Sequence, residues 1–134
     1  MTCVLVTGSS GYLGSQVVAE LVARGGFEPI ALDVRVTARS LPGVTVEVAD
    51  IRGAEVDAIV ARHRPEVVVH LASIVTPGKD SKREFEYSVD VGGTRNLLEA
   101  CVRYRVRRII VSSSGAAYGY HADNPAWLTE TDAL

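Results

Sequence analysis

The chain has 134 residues, enough for one domain around one core. Its apolar share of 47% fits a globular protein, and its net charge of -2 argues against nucleic acid or an anionic membrane surface as a partner. No apolar run nears the roughly 18 residues that cross a bilayer, and Met1-Thr2-Cys3 leads into a strand pattern without a basic leader, so the expected compartment is the cytosol.

Taken in chain order, strand and helix patterns alternate. Cys3–Thr7 is a short apolar, β-rich run. Glycines follow, and then a helical pattern in which Leu13, Val17, Val18, Leu21 and Val22 share one face until Gly25-Gly26 ends it. Pro29–Asp33 reads as a second strand and Val44–Val48 as a third. A short helix is predicted between Ala54 and Arg64. Val67–Ala72 is apolar throughout, as expected of a central strand in a parallel sheet. A long helix is predicted from about Lys82 to Tyr104, then a fifth strand over Arg108–Ser112. The stretch from Gly115 to Leu134 is polar and irregular. Alternation of this kind gives an α/β fold, a doubly wound parallel sheet of Rossmann type, with the order 3-2-1-4-5 and the switch point between strands 1 and 4. Cys3 and Cys101 belong to no metal or redox spacing and read as small buried hydrophobes. His63, His70 and His121 show no metal-ligand spacing, so no metal site is expected. The cluster Arg103, Arg105, Arg107 and Arg108 reads as cations at a helix C-terminus.

Chemistry concentrates in Thr7-Gly8-Ser9-Ser10-Gly11-Tyr12-Leu13-Gly14, which follows a strand and opens a helix. In that context Gly8 serves a tight turn, Gly11 lets the backbone approach a pyrophosphate, and Gly14 lets helix and strand pack closely. The helix N-terminus offers free N–H groups to phosphates, so Ser10, Tyr12 and Leu13 join the glycines as candidate cofactor-binding residues. Asp33, about 20 residues on, is placed to accept hydrogen bonds from an adenosine ribose and to repel a 2′-phosphate. NAD is therefore the expected cofactor, with NADP second because Arg35 lies within reach of a 2′-phosphate.

These segments resemble the short-chain dehydrogenase/reductase superfamily, and more narrowly its extended, epimerase/dehydratase branch. Asp50-Ile51-Arg52 is similar to the family's acidic dipeptide that contacts adenine, which makes Asp50 and Ile51 candidate cofactor residues. His70-Leu71-Ala72-Ser73 matches the fourth-strand motif beneath the cofactor, which adds Leu71, Ala72 and Ser73. Gly93-Thr94-Arg95-Asn96-Leu97-Leu98-Glu99-Ala100 matches the helix signature, although Asp90 stands where the family usually has Asn. Gly92 and Gly93 each cost a helix roughly 1 kcal/mol against Ala, which a close approach to the sheet or cofactor would explain. Val111-Ser112-Ser113-Ser114-Gly115-Ala116-Ala117-Tyr118-Gly119 matches the fifth-strand serine motif.

The resemblance implies a Ser, Tyr and Lys that handle a substrate hydroxyl while hydride passes to or from the nicotinamide. Ser114 is the expected catalytic serine, with Ser113 second. No tyrosine of the chain is followed by lysine at the fourth position, as the family's Tyr-x-x-x-Lys requires. The expectation is thus an incomplete dinucleotide-binding domain over 1–134, cut off after strand 5, with the substrate lobe absent. One face of strands 4 and 5 would then lack its covering helix. The implied parent is an NAD-dependent epimerase, dehydratase or reductase on a nucleotide-sugar or other hydroxyl substrate, working as a homodimer through the long helix. The alternative is a non-catalytic NAD(P)-binding or sensing module, or an inactive fragment.

Overall fold

The computed structural model describes residues 1–35 and 41–134. Strands β1 (Thr2–Thr7), β2 (Phe27–Asp33), β3 (Thr45–Val48), β4 (Val67–His70) and β5 (Arg108–Val111) form one sheet. All pairings are parallel and the order is β3-β2-β1-β4-β5. This is the predicted topology, with β1 and β4 flanking the switch point.

Each face of the sheet has its own apolar cluster. On one face Leu5, Ile30, Leu32 and Val68 pack against α2 (Glu55–His63) and α4 (Thr94–Arg103), through Val56, Ile59, Val60, Leu97, Ala100 and Cys101. On the other, Val4, Val6 and Ala31 meet Val18 of α1 (Tyr12–Arg24), with Val17 and Leu21 beside it. The helical face read from the sequence is narrower than expected, because Leu13 is 53% exposed in the first turn. Gly25 ends α1 with φ 69, and its amide donates to the Val22 carbonyl. Cys101 is buried, whereas Cys3 is only half-buried and its thiol donates to the His63 carbonyl.

Two strand boundaries differ from the sequence reading for physical reasons. β2 begins at Phe27, ahead of Pro29. Proline removes a ladder donor, but β3 joins only at Ile30, so at Pro29 the strand is paired on one side only. β4 ends at His70 rather than Ala72. Its neighbour β1 stops at Thr7, because Gly8 turns the chain with φ 67. Leu71 still donates to the Thr7 carbonyl at 3.2 Å, but its amide and that of Ala72 also donate to the Thr7 hydroxyl, both at 3.2 Å.

The long helix is also not uniform. α3 (Arg83–Tyr87) and α4 are joined by a π-helical segment, Ser88–Gly93. The two glycines there have different reasons. A Cβ on Gly93 would lie 2.4 Å from Cγ2 of buried Ile51, so glycine is required for close approach. Gly92 faces open space, and nothing in the structure explains it. Ile110 and Val111 on the edge strand β5 are half-exposed, which is the uncovered apolar face expected beyond strand 4. No helix among the described residues is long and apolar enough to cross a membrane.

Candidate functional site

At the C-terminal ends of β1, β2 and β4 the chain leaves a cleft of about 420 Å³, within the range of small-molecule sites. It sits where parallel sheets of this order bind ligands, beside the switch point. Nine of the twelve residues expected to hold a dinucleotide line it: Gly8, Ser10, Gly11, Asp33, Asp50, Ile51, Leu71, Ala72 and Ser73.

The glycine turn forms one bank. A Cβ on Gly8 would sit 2.7 Å from the Ala72 nitrogen, so the turn lies directly against the chain leaving β4. The Gly11 amide donates back to the Gly8 carbonyl at 3.0 Å. Gly14 does not line the cleft. It lies beneath the turn, where a Cβ would be 2.1 Å from the Gly8 oxygen. Tyr12 and Leu13 are likewise absent from the lining, and they are 87% and 53% exposed. These two residues start α1 after its N-cap Gly11, so what they can offer a ligand is backbone N–H.

Asp33 stands opposite. Its Oδ2 accepts from the Ser10 amide at 2.9 Å, and the Ser10 hydroxyl donates to the Arg35 carbonyl at 2.8 Å. The carboxylate is thereby fixed to the glycine turn, its Oδ1 accepts from the Arg35 amide at 3.3 Å, and Asp33 lines the cleft. At the far wall Arg52 grips both oxygens of Asp50, with its Nη2 2.5 Å from Oδ2. That guanidinium holds the Asp50 carboxyl below the usual carboxylate range. Arg52 also donates to the Ser88 hydroxyl at 3.0 Å and lies 4.8 Å from the centre of the Phe85 ring. Phe85 and Val89 complete the apolar lining.

The helix signature acquires a physical reading. Asn96 donates to the carbonyls of Ile51 and Gly53, at 2.8 and 2.9 Å. With Gly93 packed on Ile51, α4 thus holds the loop that forms one wall of the cleft. Asp90 accepts the Ile74 amide at 2.9 Å through Oδ1. A carboxylate oxygen and an amide oxygen serve equally as that acceptor, so Asp in place of Asn leaves this bond intact. Sequence reasoning missed Arg52, Phe85 and Asn96 as parts of the site. An acid two residues before an arginine was a visible signal for the first, and nothing marked Phe85.

Ser114 is outside the cleft lining. It follows β5 on the same edge of the sheet, where the Ser112 amide donates to the His70 carbonyl at 3.4 Å. Its hydroxyl caps a short 3-10 turn, Gly115–Tyr118, by accepting from the Ala116 amide at 3.2 Å. That bond leaves the hydroxyl proton free to donate. No cluster of three or more His, Cys, Asp or Glu placed to hold a metal occurs among the described residues.

The model of the NAD dependent epimerase/dehydratase family matches residues 4–133. The chain belongs to this family. Among family relatives, the UDP-glucose 4-epimerase of Yersinia pestis is 38% identical over 128 residues, covering 87% of this chain and 38% of its own length. That of Bacillus subtilis (strain 168) is 32% identical over 134 residues, covering 91% and 39%. Among solved structures, the UDP-glucose 4-epimerase from Brucella ovis in complex with NAD superposes with a TM-score of 0.82 at 28% identity, covering 99% of this chain and 41% of that one. The Thermotoga maritima enzyme with UDP-glucose gives 0.80 at 29% identity, covering 92% and 41%. The chain therefore spans about two fifths of the length of the relatives it matches.

Proposed function

We propose that this chain is the NAD-binding part of an epimerase or dehydratase of the family that acts on a nucleotide-sugar. One observation carries the reading. The Gly8–Gly11 turn, which leads into α1, and the Asp33 carboxylate converge on a single cleft at the switch point. That donor set fits a dinucleotide: free helix N–H groups for a pyrophosphate, Asp33 for ribose hydroxyls, and the Asp50–Ile51 wall for adenine. NAD, when bound, supplies hydride chemistry at its nicotinamide. The protein would place it and shield it, and Ser114 would orient a substrate hydroxyl. Solved relatives that hold NAD or UDP-glucose support both ligand classes. An apolar stripe of Tyr87, Val91, Leu98 and Val102, each at least 37% exposed, supports self-association along the long helix.

A second reading, binding without catalysis, is favoured by one observation. Within residues 1–134 no Tyr-x-x-x-Lys pair exists to move a proton. Calorimetric titration of the 134-residue chain with NAD and NADP, beside a turnover assay with a UDP-sugar, tests both readings. NAD binding tighter than NADP, without turnover, is expected. Binding of neither dinucleotide, or tighter binding of NADP, contradicts the cofactor reading, and turnover contradicts the need for a further catalytic pair.

A further inference from the structure

His70 is buried and does not line the cleft, yet both of its ring nitrogens have hydrogen-bond partners. The Thr7 hydroxyl accepts the Ala72 amide and shares the Leu71 amide with the Thr7 carbonyl, each at 3.2 Å. The Thr94 hydroxyl gives its one proton to the Asp90 carbonyl, so Nε2 of His70 must donate to it, and Nδ1 accepts the Thr7 hydroxyl proton at 2.7 Å. Nδ1 is then an acceptor, and the neutral ring carries its proton on Nε2. Nε2 lies 2.8 Å from the Thr94 hydroxyl, which in turn donates to the Asp90 carbonyl. The side chain of Asp90 closes the circuit by accepting the Ile74 amide. The backbone from Leu71 to Ile74, one floor of the cleft, is therefore suspended between Thr7 and Asp90. His70 and Thr94 join the two anchors.

An imidazolium disturbs this network. Its Nδ1–H would compete with the Leu71 and Ala72 amides for the Thr7 hydroxyl oxygen and leave the Thr7 proton without its acceptor. Burial pushes the His70 ring below its ordinary value of 6.5, and the Asp90 carboxylate pulls weakly the other way. Asp90, from the π-helical segment, is the charged group that acts on the ring; β1 contributes Thr7 and α4 contributes Thr94, both uncharged.

We propose that His70 is a positioning residue for the dinucleotide, held as the Nε2–H tautomer between Thr7 and Thr94, and that protonating it in acid releases the Leu71–Ile74 floor and weakens binding. The proposal rests on the cofactor reading above. Its sign follows from linkage: the neutral network is complete above 6.5 and is lost as the pH falls towards the lower value of the folded chain.

Two measurements test it. Long-range proton–nitrogen NMR of the His70 ring, without cofactor, reads the tautomer at neutral pH. Titration of NAD as a function of pH reads the coupling, in the native chain and in His70→Asn and His70→Leu. An asparagine oxygen can stand where Nδ1 stands and takes no proton. His70→Asn should keep NAD affinity within about threefold of native at neutral pH and lose the acid-side decline, which in the native chain approaches about tenfold per pH unit, the limit for one proton. His70→Leu, leaving Thr7 without its acceptor, should lose about tenfold at every pH. If the leucine variant does not fold, the tautomer and the asparagine profile still decide. A ring protonated on Nδ1 at neutral pH, or an asparagine variant with the native acid decline, overturns the proposal. A native chain that shows the Nε2–H tautomer but binds no NAD at any pH overturns the cofactor reading and, with it, the positioning role.

Discussion

Gly14→Ala is expected to cost about 3 kcal/mol of folding stability, a fall of about 10 °C in the thermal midpoint. The added Cβ would lie 2.1 Å from the Gly8 oxygen and 2.8 Å from the Ser9 Cα. Both are backbone atoms, so no rotamer change relieves the overlap, and either the glycine turn or α1 must move. Gly11→Ala makes the informative contrast. Its Cβ would be 3.2 Å from the Gly8 oxygen, and its φ of -75 is open to any residue. Stability should change by less than about 1 kcal/mol, while a methyl group placed where the pyrophosphate approaches should lower NAD affinity by more than about tenfold. Thermal melts and NAD titrations of the two variants separate the packing glycine from the ligand glycine. Equal losses of stability in both would show that the turn is not packed as described.

Asp33→Ala should lower NAD affinity by about 100-fold, the worth of two charge-assisted hydrogen bonds to a ribose. NADP should suffer far less, because the carboxylate that repels a 2′-phosphate is gone. The preference between the two dinucleotides should therefore collapse. The variant also strips the Ser10 amide of its acceptor, a loss of about 1 kcal/mol in stability. Asp33→Asn keeps an oxygen for Ser10 and removes only the charge, so it should narrow the preference with the fold intact. If Asp33→Ala left the NAD to NADP ratio unchanged, Asp33 would not be the ribose acceptor.

The sheet order was legible because short β-rich runs alternate with helical patterns along this sequence, and because one glycine motif tied the first strand to its helix. Boundaries were less legible where a side chain overrides a local pattern. Val67–Ala72 is apolar but for His70, and nothing in it announced that the Thr7 hydroxyl would take the Leu71 and Ala72 amides. The π-helical segment was hidden for a similar reason. Gly92-Gly93 was visible as a cost to a helix, but its compensation at Gly93 lies on Ile51, 42 residues earlier in the chain. In the site, the glycine turn and Asp33 were readable because their spacing is local. His70 and Asn96 were not, because their partners are distant in sequence: Thr7 and Thr94 for the first, Ile51 and Gly53 for the second.

Backbone amide shifts of the labelled chain, followed during addition of NAD, test the central claim most directly. Saturable shifts should concentrate on the amides of Gly8 to Gly14 and on Asp33, Ile51, Ala72 and Ser73. A second groove on the α1 face of the sheet, lined by Gln16, Val18, Val46 and Glu47, should stay silent. Shifts confined to that groove, or none at millimolar NAD, would contradict a dinucleotide site at the switch point.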